Sequence, residues 1–581
     1  MHLTRVAGLV TLLAVLTPCG SAKCRFAAGA DGRVLTYTFR ASVSSSGAGL
    51  HVTLAFRGGP QGMEMIAVPT EWAGEKLHGV TNLRALSRDT VLEKGDAGGN
   101  RVVHYRPHRP VILAYDLVKD WTGPFRYPLQ FHAVLMPEYL EVTGSNALVH
   151  PEPSRDAAIT VHLDWRRIPD GWVLATSFGT SAGAAGRCQS YAGRWSDVED
   201  ALFAAGEFRL HHFLIGSRPA VLAVRGQWTF SDDEVIRDIQ QIVGMERAFF
   251  HDDNFPYFLF TLKPFDTERG SGDGSAFTNA FWLYMSRLDG FSGQLTQIAH
   301  EAFHAWNPAR MGRLTENSET IDWFKEGFTQ YYAYLLVWRA GLLPLPDYIA
   351  SINRDLRDYP VSSNPYVRGR VIALWLDGQI RRDSNRQKSL DDVMRGMVNG
   401  APQPLSEARK TGRPAPLHVA APVLPGGAGN APLFALSEAR ILEAAECYLS
   451  PPDRNQLEAA VKSRGGLAAP AGVLGPCVRS SIDEVVSFDA GFAVSASTDA
   501  RRVMGVRPEG PAFRAGLRDG QELLGWSIYN DQPDKMAKFT IRTAADRQTI
   551  EYYPRGETRT VPQYHLDEQA YQADPAACRV E

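Results

Sequence analysis

Two histidines four positions apart, with a glutamate 22 positions beyond the second, restrict the folding of this chain more than any other feature. His300-Glu301-Ala302-Phe303-His304 is an H-E-x-x-H motif. On an α-helix, positions i and i+4 fall on one face about one turn apart. Both imidazoles then reach one tetrahedral metal ion, and the intervening glutamate reaches a water on that metal. Ser292 is the expected N-cap of this helix and Asn307-Pro308 its stop. Leu295, Ile298, Ala299, Ala302, Phe303 and Trp306 form an apolar stripe along it. The histidines therefore lie beside a buried face, where unpaired polar groups are costly.

A catalytic zinc takes three protein ligands and keeps one position open. The third is expected from Asp322-Trp323-Phe324-Lys325-Glu326-Gly327-Phe328-Thr329. Asp322 is read as the cap of a second helix, with Glu326 in its first turn and the apolar run 333–338 continuing it. The two helices must then stand side by side.

The phrase His-Glu-Ala-Phe-His-Ala-Trp-Asn-Pro-Ala-Arg at 300–310 resembles the signature of the glycyl aminopeptidase family of gluzincin metallopeptidases. The Trp323–Thr329 phrase is similar to that family and to the larger alanyl-type aminopeptidases. Pro365-Tyr366-Val367-Arg368-Gly369 resembles their Tyr-x-Lys-Gly segment, with arginine replacing lysine, ahead of a helical run at 371–380. The resemblance implies a thermolysin-like, mostly helical catalytic domain acting on peptide or protein substrates. It implies one Zn2+ per chain on His300, His304 and Glu326, with Glu301 as general base and Tyr366 as oxyanion donor. One departure stands out. Many members carry Gly-Gly-Leu-Glu-His upstream of the metal helix, whereas 270–280 here reads Gly-Ser-Gly-Asp-Gly-Ser-Ala-Phe-Thr-Asn-Ala. In relatives a glutamate in this region receives the substrate's free amine, so exo- and endopeptidase specificity both stay open. The segment still reads as an edge strand after a Gly-rich turn, able to add an extended peptide to a sheet.

The N-terminus has the layout of a secretory signal peptide over 1–22: His2 and Arg5, an apolar run at 6–16, then Gly20-Ser21-Ala22. The run is too short to span a bilayer. A periplasmic or secreted protein with no transmembrane segment in the mature chain is expected, and a lipoprotein anchored through Cys19 or Cys24 is the alternative. Cleavage after Ala22 would leave five of the six cysteines, an odd number, so at least one thiol lacks a partner within the chain. Cys447 and Cys477 flank a helical stretch and are the expected pair.

With 61 basic and 64 acidic residues and no basic block, the chain has no footprint for nucleic acid. The expected fold class is multidomain α+β. Alternating runs such as 34–40 and 50–56 predict an antiparallel β domain or domains over 23–228. Ser231 is expected to cap a helix reaching about residue 250, and 257–262 reads as a buried strand. The catalytic domain is placed at 229–483, with a Pro/Gly-rich insertion at 399–435. Residues 484–581 resemble a PDZ domain with a tail. There Gly510-Pro511-Ala512-Phe513-Arg514-Ala515-Gly516 suggests a short helix and turn, and Gly491-Phe492-Ala493-Val494 a loop and strand for a peptide C-terminus. His104, His108, His211 and His212 lack ligand context. A competing reading is an exported, non-catalytic, PDZ-containing peptide-binding or chaperone-like protein.

Overall fold

The structure is a computed structural model. It describes all residues except 1–23, 25–32, 45–46, 97, 153–156, 184–185, 267–271, 315–317, 400–434, 464–465, 530–531, 544–545 and 579–581. The signal-peptide segment and nearly all of the Pro/Gly-rich insertion lie outside the described residues. The described residues form two compact units, one within 24–123 and 128–208, the other within 124–127 and 209–578.

The first unit is β-rich. Its six-stranded sheet runs in the order 188–194, 158–167, 33–44, 47–57, 110–117, 80–85, and a five-stranded sheet lies in the same unit. Along Gly47–Arg57 buried and half-buried residues alternate strictly, placing Leu50, Val52, Leu54 and Phe56 in the core. Phe39 stacks on Trp165 at 3.7 Å within that core. The expectation of a purely antiparallel domain needs one correction. Arg33–Ser44 pairs parallel with Ala158–Arg167. More than a hundred residues separate those strands, and a long connection can return a strand in the same direction where a tight turn cannot.

The second unit holds the predicted sites. Its five-stranded sheet has the order 209–215, 218–224, 258–265, 280–286, 272–277. The strands at 209–224, read from sequence as N-terminal, pair here instead. Helix Asp232–Phe250 makes the crossover between two parallel strands. Its predicted cap is in place, with Ser231 Oγ accepting from Glu234 N–H at 3.1 Å. Phe258–Phe265 and Ala280–Ser286 are buried at every position, as parallel strands covered on both faces must be. Gly272–Phe277 is the edge strand, as expected.

After the sheet come the dihistidine helix Leu295–Phe303, the glutamate helix Ser318–Arg339 and the tyrosine helix Pro365–Asp383. The last two touch backbone to backbone. A Cβ on Gly369 would fall 1.7 Å from the Trp323 carbonyl, and one on Gly327 would fall 2.2 Å from Gly369 Cα. Glycine at both positions lets the helices cross this closely.

In the C-terminal part of the same unit, Val478–Phe488 pairs antiparallel with Arg555–Leu566, beside a three-stranded sheet of 523–527, 537–542 and 547–552. The expected short helix and turn occur at Pro511–Ala515 and Gly516, whose φ of 108° suits glycine. The expected peptide-accepting strand does not form. Residues after Gly491 bend into the helix Val494–Asp499, whose backbone bonds are satisfied internally and offer no strand edge.

Cysteine pairing also departs from expectation. Cys477 bonds Cys578 and Cys24 bonds Cys188, while Cys447 is free. Cys447 ends the helix Glu438–Glu446 with its thiol turned to the Glu443 carbonyl, whereas Cys477 directly precedes a strand whose partner leads to the C-terminus.

Candidate metal centre

The dihistidine helix carries Ile298, Ala299, Ala302 and Phe303 into the core, which fixes the opposite rotation of His300, Glu301 and His304. The helix starts at Leu295 after a short 3-10 turn, so Ser292 does not cap it. The glutamate helix begins at Ser318, so Asp322 is an interior residue rather than a cap, and Glu326 sits mid-helix rather than in the first turn. A ligand held mid-helix is more rigid than one at a fraying end.

The three expected ligands converge. His300 Nε2 lies 3.2 Å from Glu326 Oε2 and 3.2 Å from His304 Nε2, and His304 Nε2 lies 3.4 Å from Glu326 Oε2. Ligand atoms about 2.0–2.1 Å from a tetrahedral zinc stand about 3.3–3.4 Å apart, so this triangle fits one face of that tetrahedron. His304 Nδ1 lies 2.8 Å from the Asn307 carbonyl, which can only accept. That fixes the proton on Nδ1 and leaves the Nε2 lone pair free for a metal. Gln330, one turn beyond Glu326, interacts with His300.

Electrostatics favour a cation at this point. Burial would raise Glu326, but hydrogen bonds from His300 and His304, with the charges of His304 and Lys325, outweigh it and hold the carboxyl far below the usual range. Burial pushes His300 down, whereas Glu326 and Glu301 together outweigh burial at His304 and raise it. Glu301 is raised to about 8, first by burial and then by the charges of Glu326 and Asp273, with His304 and the Ala276 N–H opposing.

Tyr366 is the second residue of the tyrosine helix, capped by Asn364, rather than a loop residue ahead of it. Its ring stacks on His300 at 5.5 Å. Enclosure of the hydroxyl, then the charge and hydrogen bond of Glu326, raise its pKa, so it stays a proton-bearing donor at any ordinary pH.

Residues 294–388 match the family described as M61 glycyl aminopeptidase. That stretch is similar to M61 peptidases. It contains all five predicted site residues. Among solved structures, an aminopeptidase N family protein from Idiomarina loihiensis is similar at 16% identity and a TM-score of 0.63, over 92% of this chain and 98% of that one. At that identity the likeness shows a shared fold. An M1 zinc metallopeptidase from Deinococcus radiodurans matches at 15% identity, over 76% and 97% of the two chains, with a TM-score of 0.43. A mutant of an M1 zinc metallopeptidase from the same organism, bound to a Tyr-Ser-Ala substrate, matches at 14%, over 76% and 96%, with a TM-score of 0.45. No curated protein matches the chain.

Residues without a sequence-based role complete the site. Asn307, fully buried, donates its side-chain amide to the Phe324 and Lys325 carbonyls and to Thr329 Oγ1. It orients His304 through its backbone and ties the end of one metal-bearing helix to the other through its side chain. Lys325 Nζ lies 2.7 Å from Glu326 Oε1, so the carboxylate turns its other oxygen to the histidines. Arg310 pairs with Asp252, donates to the Asn254 carbonyl at 2.9 Å and lies over the Phe255 ring, while Trp306 Nε1 donates to Asp252 at 2.9 Å. These contacts pin the turn that presents the Asn307 carbonyl. Arg368, standing where relatives have lysine, donates to the Ala460 and Val461 carbonyls. The sequence signal for Asn307 and Arg310 was their place in the 300–310 phrase, and their partners lie too far along the chain to be read. His211 pairs with Asp232 at 2.7 Å and His104 lies 3.4 Å from Glu93, so neither joins the centre.

Proposed function

We propose that the chain is an exported zinc peptidase that cleaves peptides lying extended beside the edge strand. The observation that carries this is the triangle of two Nε2 atoms and one carboxylate oxygen, 3.2–3.4 Å apart, with the Glu301 carboxylate on the intervening turn. A zinc ion held by His300, His304 and Glu326 would supply Lewis acidity and bring the pKa of a bound water towards neutrality. Glu301 is placed to take a proton from the water that attacks the scissile carbonyl and to return it to the leaving amine. The Tyr366 hydroxyl donates a hydrogen bond to the oxygen that gains charge. Gly272–Phe277 is an edge strand, and its outward groups other than the Ala276 N–H, which bonds Glu301, would pair with substrate backbone. Aminopeptidase action is the family expectation. The two disulfides support an oxidising, extracytoplasmic setting. The C-terminal module is read as a PDZ-like element that packs on the catalytic helices, since Asn353 exchanges hydrogen bonds with the Tyr564 backbone.

Two variants test the assignment with a mixed peptide library, product mass spectrometry and metal analysis. Glu301→Gln should keep one zinc per chain and lose turnover. Tyr366→Phe should keep zinc and lose roughly a hundredfold in kcat. Near wild-type turnover in Glu301→Gln removes the base, and wild-type protein that binds zinc but cleaves no peptide removes the peptidase.

A further inference from the structure

Glu301 has an N–H donor on each carboxylate oxygen. Gln297 Nε2 lies 2.7 Å from Oε1, and the Ala276 backbone N–H donates to Oε2 at 3.1 Å. Gln297 precedes Glu301 by one turn of the same helix, so the pair shares a face. Gln297 turns its amide nitrogen to that oxygen and so donates. The other donor comes from the edge strand, and the sequence of that strand answers to this contact. A Cβ on Gly274 would stand 2.8 Å from the Phe281 ring and 3.4 Å from Gln297 Cγ, and one on Gly272 would stand 2.7 Å from Gln294 Oε1. Glycine at 272 lets the strand lie against Gln294, just ahead of the dihistidine helix, and glycine at 274 makes room for the Phe281 ring with Gln297 in ordinary contact.

A glutamate side chain has three rotatable bonds, and a base is efficient only when its oxygen is already aimed at the proton it takes. One donor on each oxygen, from opposite sides, fixes the plane of the carboxylate. Each oxygen keeps a second lone pair for the reacting water.

We propose that Gln297 is a positioning residue that, together with the Ala276 N–H, locks the Glu301 carboxylate in its base-competent orientation. This rests on the reading of Glu301 as the base. Gln297 contributes to the rate without contacting metal or substrate. It also links the edge strand that would hold substrate to the group that takes the proton.

The test uses the full mature protein. Gln297→Leu keeps the volume and removes the donor; Gln297→Lys restores an N–H donor of similar reach. Gln297→Leu should lose about ten- to a hundredfold in kcat, with KM within twofold of wild type, one zinc per chain and an unchanged pattern of cleaved bonds. Gln297→Lys should recover most of that loss. In a Glu301→Ala background, Gln297→Leu should cost nothing further. A second readout needs no activity. In metal-free protein the shift in Tm caused by Gln297→Leu should be larger with Glu301 present than with alanine there. Wild-type kcat in Gln297→Leu, or an equal Tm shift in both backgrounds, overturns the inference and leaves the peptidase reading standing. Inactive wild type with the Tm coupling intact overturns the peptidase reading and leaves the Gln297–Glu301 pairing in place.

Discussion

At the scale of single residues, two buried acids meet opposite fates. Glu326 is surrounded by donors and stays ionised. Glu246, on helix Asp232–Phe250, is fully buried, and neither of its carboxyl oxygens has a hydrogen-bond partner among the described residues. Burial holds its pKa well above the carboxylic range, with only the Arg247 charge opposing. The unfolded chain releases this proton near pH 4.3, whereas the folded chain keeps it. Stability therefore falls as pH rises above that point, by up to about 1.4 kcal/mol per unit, until the folded group ionises. Glu246→Gln stays neutral throughout. Its advantage in Tm over wild type should grow between pH 5 and pH 8, and parallel curves for the two proteins would remove this account. The same contrast shows what single residues disclose in sequence. His300, His304 and Glu326 were legible because helical spacing dictates their convergence. Gln297 was legible in principle, standing four positions before Glu301, but an i,i+4 glutamine gains meaning only once a strand delivers the second donor. Ser292 and Asp322 looked like caps because their residue types suit caps, yet the Ser318–Arg339 helix extends one turn upstream of Asp322 and a 3-10 turn encloses Ser292.

At the scale of elements, the metal site depends on how closely two helices cross. Glu326 and Gly327 are neighbours, and Tyr366 and Gly369 are one turn apart, so the Gly327–Gly369 contact sets the separation of the proposed third ligand from the proposed oxyanion donor. Gly369→Ala places a methyl carbon 1.7 Å from the Trp323 carbonyl, an overlap that only helix separation relieves. Overpacking of this kind costs about 1–3 kcal/mol and displaces what it touches. Gly369→Ala should lower Tm, weaken zinc retention in a chelator titration and reduce kcat together. The same substitution at Gly466, where a Cβ meets nothing within 4 Å, should leave all three unchanged. If Gly369→Ala keeps wild-type zinc affinity, the crossing does not govern the site. Element types were well signalled by periodicity, as in the Ser231 cap and the buried strand at 258–265. Pairing partners were not. The parallel partner of Arg33–Ser44 lies more than a hundred residues away, and the helix Val494–Asp499 is built from a short run that serves strand or helix equally until packing decides.

For the whole molecule, the C-terminal segment acts as a clamp on the catalytic helices of its own unit. Strand Arg555–Leu566 passes beside helix Leu345–Asp358, where Asn353 accepts from Tyr564 N–H at 2.7 Å and donates to the Tyr564 carbonyl at 2.8 Å. The Tyr564 hydroxyl donates to the Pro470 carbonyl, and the chain end is then fastened by Cys477–Cys578 across 101 residues. Both sulfurs are buried among residues of the helical core. Disulfides typically stabilise by about 2–4 kcal/mol, and restriction of the unfolded chain by a loop of about 100 residues gives up to about 4.7 kcal/mol. Cys578→Ser should lower Tm by several degrees while kcat at 25 °C stays near wild type, because no site residue lies on the clamped segment. Cys447→Ser removes a thiol that bonds only to a carbonyl of its own helix and should change neither. Thiol titration of the denatured, unreduced mature protein should find one reactive group per chain, that of Cys447, rising to two in Cys578→Ser. Three thiols in the wild type, with Cys578→Ser melting alongside it, would mean that hydrogen bonding and packing hold the clamp without the covalent link.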